Sequence, residues 1–165
     1  MKVLVTGMAL CVAAWLAAPL GASSGDGVSA EEEVRRTLEE IDAAVKECRI
    51  DDYAGYWAPD GSMFTSSGTP LMSASEYLDV WRGVCAAGGG IVTQEVSREI
   101  RILGETALAI GTTDYTFDDG AGAEHSGTTR FSLLLQAGPD AWRIVHAHGS
   151  ELGAHRDLEQ GADGD

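Results

Sequence analysis

The stretch that decides the fold is "SGTTRFSLLLQAGPDAWRIVHAHGS", residues 126–150. Two extended runs rich in β-branched and aromatic residues flank "AGPDA", a turn built from glycine, proline and aspartate. In the first run Phe131, Leu133 and Leu135 alternate with Arg130, Ser132 and Leu134, giving one plainly apolar face and one mixed face. The second run places His146 and His148 two apart, so both imidazoles share a face. Paired imidazoles on a strand can bind metal, move protons, contact a ligand or fill part of an interface.

Working outward, "IVTQEVSREIRIL" and "TALAIGTTDYTF" precede these two runs, separated by "GE" and "DDGAGA". Four extended runs joined by short turns predict an antiparallel meander. Further upstream the period changes to that of helices. Ser29 with Glu32 reads as a capping box opening a helix whose apolar stripe is Val34, Leu38, Ile41, Val45 and Cys48. A short helix is expected over residues 51–57, ended by "APDG", followed by a short strand and turn in "SMFTSSGTPL". A second capping box, Ser73 with Glu76, starts a helix carrying Tyr77, Val80, Trp81 and Val84 on one side, and "GGG" at 88–90 stops it. Helices first and a strongly curved antiparallel sheet second define an α+β fold, three helices on one sheet face forming a cone with an open end. Such a cone suits a small-molecule pocket. The sheet's other face, partly apolar and without helices, predicts a homodimer through the sheet.

Both ends of the chain read differently. Lys2, the apolar run at residues 3–20 and the small residues "GASSG" have the form of a signal peptide spanning residues 1–22, cleaved after Ala22. The rival is an uncleaved anchor, because the apolar run approaches the ~18 residues a membrane span needs. Leu10 before Cys11, inside the apolar run, disfavours a lipoprotein. Residues 23–28 read as a flexible lead-in, 29–152 as the domain, and 153–165 as an acidic disordered tail, the last apolar run giving way at Glu151. A secreted or periplasmic location follows, with no stable membrane association after cleavage. With Cys11 removed, Cys48 and Cys85 remain; they form one disulfide or two buried free thiols. At 165 residues with a net charge of −15, the chain is one acidic domain whose surface repels nucleic-acid phosphates and anionic lipid.

The opening helix, "DDYAGYWAPDGSMF", "SGTTRFSLLLQAGPDAW" and the closing "WRIVHAHGS" together resemble NTF2-like cone domains. Within these the chain is similar to the SnoaL-like and DUF4440 proteins and to the association (hub) domain of calcium/calmodulin-dependent kinase II, over roughly Glu31 to Leu152. The resemblance implies the α+β cone; one scaffold of this kind hosts isomerases, dehydratases, cyclases, binding modules and assembly domains.

Matched to ketosteroid isomerase, which shares the cone, the positions of the base and the two oxyanion donors fall at about Thr65, Ile41 and Thr129, none of which carries the needed group. Dehydratases of this fold work with histidines and tyrosines around a carbonyl, which makes His146, His148, Asp114 and Tyr115 the catalytic candidates, with His125 nearby. A metal reading of His146 and His148 needs a third ligand; His125 is the candidate on the preceding strand, but no cysteine or carboxylate completes a recognisable spacing. No metal and no cofactor are therefore assigned. Arg130 matches an arginine of the hub domain that meets small carboxylates, while Gly149 stands where the hub has a further arginine. Arg130, Trp57, Trp81, Met63 and Tyr115 are the ligand-binding candidates, for a small organic ligand with carboxylates among the options.

The faces depend on register, because a slip of one residue reverses them. If Arg130 pairs opposite Gly149, the histidines lie with Phe131 and Leu133 on the outer face; if opposite His148, all three face the pocket. The hub resemblance favours the first. The expectation is an exported NTF2-like binding module that dimerises through its sheet. The alternative is a cofactor-independent isomerase, dehydratase or cyclase acting on a small carbonyl compound.

Overall fold

The computed structural model describes residues 28–65 and 70–152. The chain begins with α1 (Ala30–Lys46), α2 (Ile50–Ala54), β1 (Trp57–Phe64), β2 (Met72–Ser73) and α3 (Ala74–Ala86). It continues as the four-stranded meander β3 (Gly90–Leu103), β4 (Thr106–Asp118), β5 (Glu124–Ala137) and β6 (Trp142–Glu151). The six strands form one sheet in the order β2-β1-β6-β5-β4-β3. Only β1 and β6 are parallel; the other neighbours run antiparallel. The sheet is curved and unclosed, and the helices cover its concave face. Among the described residues, no helix is long and apolar enough to cross a membrane.

Local sequence explains the helices. The Ser29 hydroxyl accepts the Glu32 amide at 3.2 Å, and three glutamates in the first turn suit the positive helix end. Val34, Leu38, Ile41 and Ala44 are buried on one stripe, so α1 is held by its apolar face. At α3 the box is reciprocal: Ser73 caps the Glu76 amide, and Glu76 returns to the Ser73 amide at 2.8 Å. That helix buries Ala74, Leu78 and Trp81; Tyr77 and Val84 pack beside them. Of the residues expected on the apolar side, Val80 alone turns out, 54% exposed, because the buried side is centred on Ala74, Leu78 and Trp81 with Tyr77 and Val84 beside it.

β1 departs from the expected short helix over 51–57. The helix stops at Ala54, and Trp57 opens a strand that runs through "APDG". The strand survives because it borrows hydrogen bonds from β6: Ile144 donates to the Tyr56 carbonyl at 2.7 Å, and the Arg143 guanidinium reaches the Gly55 carbonyl at 2.7 Å. The register between β1 and β6 shifts between Trp57 and Ser62, where Pro59 and Gly61 fall. Pro59 is accommodated at this irregularity.

The core lies between α1, α3 and the concave face, with Val34, Leu135 and Ile144 fully buried. Each contributes about 1.5–3 kcal/mol by leaving water. Cys48 and Cys85 form a disulfide, which ties the end of α1 to α3 with a Cα–Cα distance of 5.8 Å. Of the two cysteine states open from sequence, the disulfide is the one found. The expected signal peptide at 1–22, the lead-in up to residue 27 and the acidic tail at 153–165 lie outside the described residues.

Candidate functional site

The sheet's registers arrange the concave face in rows. Arg98, Gly111, Phe131 and Gly149 stand side by side across β3 to β6. The next row toward the open end holds Thr113, Thr129 and Glu151; then come Thr93, Tyr115 and Gly127, and then Ile91, Phe117 and His125. Facing them are Leu38, Ile41, Asp42 and Val45 of α1, Tyr53 of α2, and Tyr77 and Trp81 of α3. Together they enclose a cavity of about 540 Å³. That is within the range of small-molecule pockets.

Two glycines make this surface possible. A Cβ on Gly111 would meet the Ser97 carbonyl at 2.0 Å and the Phe131 ring at 2.9 Å, so the bulge of β3 and the ring of Phe131 both require its bare backbone. A Cβ on Gly127 would lie 3.1 Å from the Tyr115 hydroxyl, which marks how closely that ring lies over the strand.

The helical wall is aromatic. Edge-to-face contacts run from Tyr53 to Tyr77 at 6.4 Å, Tyr77 to Trp81 at 6.3 Å and Trp81 to Phe117 at 6.0 Å. His125 stacks on Phe117 at 6.4 Å. Burial holds the Tyr53 phenol well above its ordinary value, with the adjacent Tyr77 phenol adding to the effect. Burial likewise raises Tyr77. Both phenols therefore stay protonated and remain hydrogen-bond donors.

Besides four threonines and His125, two clusters with charged groups interrupt the lining. Arg98, with a side chain only 8% exposed, gives its Nη2 to Asp42 at 3.0 Å and to Glu95 at 2.8 Å. Its Nε is buried without a hydrogen-bond partner. Across the cavity, the Tyr115 hydroxyl donates to Glu151 Oε1 at 2.5 Å. That bond is the chief cause of a raised Tyr115 phenol, with partial burial second.

The candidates chosen from sequence divide by face. Tyr115, Trp81 and Met63 line the cavity, as does His125. Trp57 sits behind the lining, 4% exposed and packed edge-on against Tyr53 and Tyr77. Arg130 is opposite Ser150, a register that neither expected pairing matches. It lies exposed on the convex face, while Phe131 and Leu133 line the cone. The inversion has a simple cause: Leu135 is fully buried against the helices, and every second residue of β5 back from it, Leu133, Phe131 and Thr129, must share its face. His146 and His148 do lie on the convex face, but in company with Arg130 and Leu134. His146 Nδ1 is 2.9 Å from the Ser62 hydroxyl, and Phe64 meets both imidazole rings edge-on. Asp114 is also convex, accepting the Thr128 hydroxyl. Among the described residues, no group of three His, Cys, Asp or Glu side chains is arranged to hold a metal ion. Ile41, Thr65 and Thr129, the positions matched to ketosteroid isomerase, all line the cavity.

Asp42, Arg98, Tyr53, Tyr77 and Glu151 are the site residues that sequence reading passed over. Arg98 had a signal: it shares parity with Ile100 and Ile102, so it is a charge on a strand's apolar face. Glu151, taken as the start of the tail, is the last residue of β6 and pairs with Thr129.

An α+β cone with its helices packed over a pocket on the concave face of a curved sheet is the architecture of the NTF2-like superfamily. Within it the chain belongs to the SnoaL-like domain family, whose profile matches residues 34–154. Solved structures show the same fold. A candidate calcium/calmodulin-dependent kinase II association domain from Exiguobacterium sibiricum aligns with a TM-score of 0.69 at 18% identity, over 78% of this chain and 98% of its own. A candidate NTF2-like dehydratase from Streptomyces avermitilis aligns at 0.65 and 19%, over 74% and 95%. The kinase II hub homology domain of Chlamydomonas reinhardtii aligns at 0.62 and 18%, over 75% and 99%. No curated protein sequence matches the chain.

Proposed function

We propose that the protein is an exported binding module of the SnoaL-like family, whose cone takes a small, largely apolar organic molecule. The observation that carries this reading is the cavity of about 540 Å³, walled by aromatic rings and holding only a few polar groups. A pocket of that size and lining gains hydrophobic and ring-packing energy from a ligand, while Arg98, Tyr115 and Glu151 orient it. A thermal-shift screen of the chain from Ser23 onward against small carbonyl compounds, amines, alcohols and carboxylates tests it. A compound at 100 times its Kd should stabilise the fold by about 2.7 kcal/mol. The absence of any shift across all four classes at millimolar concentration would overturn the reading.

Two further parts of the proposal rest on separate observations. The Cys48–Cys85 disulfide and the signal-like residues 1–22 support export to an oxidising compartment. Recovery of the chain from the medium or periplasm, starting at Ser23, is the expected result. Partly buried Leu108, Ile110 and Leu134, together with Phe64 at 43% exposure, make the convex face apolar enough to support a homodimer through the sheet. Sedimentation should give twice the monomer mass, falling to the monomer in Ile110→Glu.

A catalytic reading has one observation in its favour. The Tyr115 hydroxyl and the Glu151 carboxylate share a short hydrogen bond at the cavity wall, an acid and a base within reach of one ligand. The dehydratase-like neighbour from Streptomyces agrees with it. Loss of turnover in Tyr115→Phe with ligand binding retained would establish it.

A further inference from the structure

The charge inside the cone points away from the carboxylate ligand that Arg130 suggested. With Arg130 on the convex face, Arg98 is the one Lys or Arg side chain among the described residues lining the cavity. It is already shared between Asp42 and Glu95 through the same nitrogen. Glu151 adds a third carboxylate, bonded to the Tyr115 hydroxyl and, among the described residues, to no Lys or Arg. Asp42 and Glu151 beside one guanidinium leave the cavity lining with a formal charge of −1, and Glu95 holds the same guanidinium from outside the lining. A carboxylate brought in would have to compete with Asp42 and Glu95 for the one guanidinium or sit unpaired beside Glu151. A cation meets the opposite situation. The rings of Tyr53, Tyr77, Trp81 and Phe117 line the cavity, where ring electrons favour a cation over an anion, and the chain's net charge of −15 draws cations toward the mouth.

A second, independent feature adds an oxygen to the ligand. The Nε–H of Arg98 is buried and unpartnered, in a side chain 8% exposed that lines the cavity. A buried donor of this kind is costly unless something accepts from it. A carbonyl, ether or hydroxyl oxygen on the ligand would do so without adding charge once the guanidinium turns to present that N–H to the cavity.

We infer that the cone recognises an apolar organic ammonium compound, its cationic nitrogen against Glu151 and the aromatic wall, with an uncharged oxygen acceptor for Arg98. This rests on the binding reading above and specifies the ligand class of that same pocket. The test is a matched set of probes that differ only in the terminal group: 4-phenylbutylamine, 4-phenylbutanol and 4-phenylbutyrate, titrated calorimetrically at neutral pH and low salt. The ammonium probe should bind at least about tenfold more tightly than the carboxylate and more tightly than the alcohol, with an advantage that shrinks as salt is added. Glu151→Gln, whose fold is checked by circular dichroism, should lower affinity for the amine several-fold and leave that for the alcohol unchanged. Equal binding of all three probes, or preference for the carboxylate, overturns the inference while leaving the binding reading intact. An unchanged amine affinity in folded Glu151→Gln overturns the assignment of the charged partner. Failure of all three probes to bind counts against both.

Discussion

Leu133 and Leu134 are chain neighbours on β5, yet they belong to different surfaces. Leu133 sits between Ala109 and Ala147 in the cone; Leu134 sits between Leu108 and His146 on the convex face. The same division runs the length of the sheet. The concave face carries the cavity, its aromatic wall and the Arg98 ion pairs. The convex face carries the histidine pair, Asp114 and Arg130, the residues that look most chemical in the sequence. The comparison teaches that on a two-sided sheet, residue type says less about function than parity relative to the buried positions. A histidine pair on the open face satisfies local polar needs, as the His146–Ser62 contact shows, while a lone arginine in line with isoleucines marks the pocket.

Substitutions should separate the two faces. The largest effect is expected at the floor of the cone, where Leu135→Ala removes a fully buried side chain. It should cost about 3–5 kcal/mol, read as a lower urea midpoint. Next is the clamp between the helices that roof the cavity. Removing the disulfide with Cys48→Ser and Cys85→Ser should cost about 3 kcal/mol, because the unfolded chain regains the freedom of the loop between them. Both changes should also weaken binding of any cone ligand, which no convex substitution should do.

Alkaline pH bears most on the two phenols buried in the helical wall of the cavity. Tyr53 and Tyr77 have folded pKa values raised by burial, so the folded state holds their protons more tightly than the unfolded state. Their contribution is present in full below the ordinary phenol value of about 10 and is lost as pH rises through it toward the folded values. Stability should therefore fall above about pH 10, and Tyr53→Phe with Tyr77→Phe should flatten that fall. Chemical unfolding at a series of pH values checks this; an unchanged slope in the double variant would contradict it.

The smallest effects belong to the convex face. His146→Ala should cost about 1 kcal/mol through the lost Ser62 contact. Exposed Arg130→Ala should change stability by less than about 0.5 kcal/mol. A fall in ligand affinity in either variant would break the comparison.

Much of this fold was legible in the sequence for physical reasons. Period 3.6 in α1, the Ser73–Glu76 box and four alternating runs separated by turn residues each follow from local rules, and the structure has them. Only the end of β1, from Ser62, was legible as a strand; "WAPDG" contains proline and glycine and joins it through β6, more than 80 residues away in sequence. The site was half legible. Tyr115, Trp81 and Met63 could be found because aromatic and apolar side chains in a cone have few other places to go. The face expected for Arg130 follows from the hub resemblance rather than from the apolar positions of its own strand, and it differs from the face observed. Alternation counted back from buried Leu135 yields the observed parity of β5, whereas on β6 the register shift between Ile144 and His146 turns the histidines to the convex face against simple alternation. Asp42 sits beside the apolar stripe of α1 and gains meaning only when Arg98 is brought opposite it.

The most direct test of the division between the faces is a methyl-resolved NMR titration with 4-phenylbutylamine, following Leu133 and Leu134 together. The account predicts that the Leu133 methyls, with those of Thr129 and Ile41, shift progressively with ligand while Leu134, Leu108 and Ile110 stay in place. Shifts confined to Leu134 and its convex neighbours would place binding on the histidine-bearing face and contradict the account.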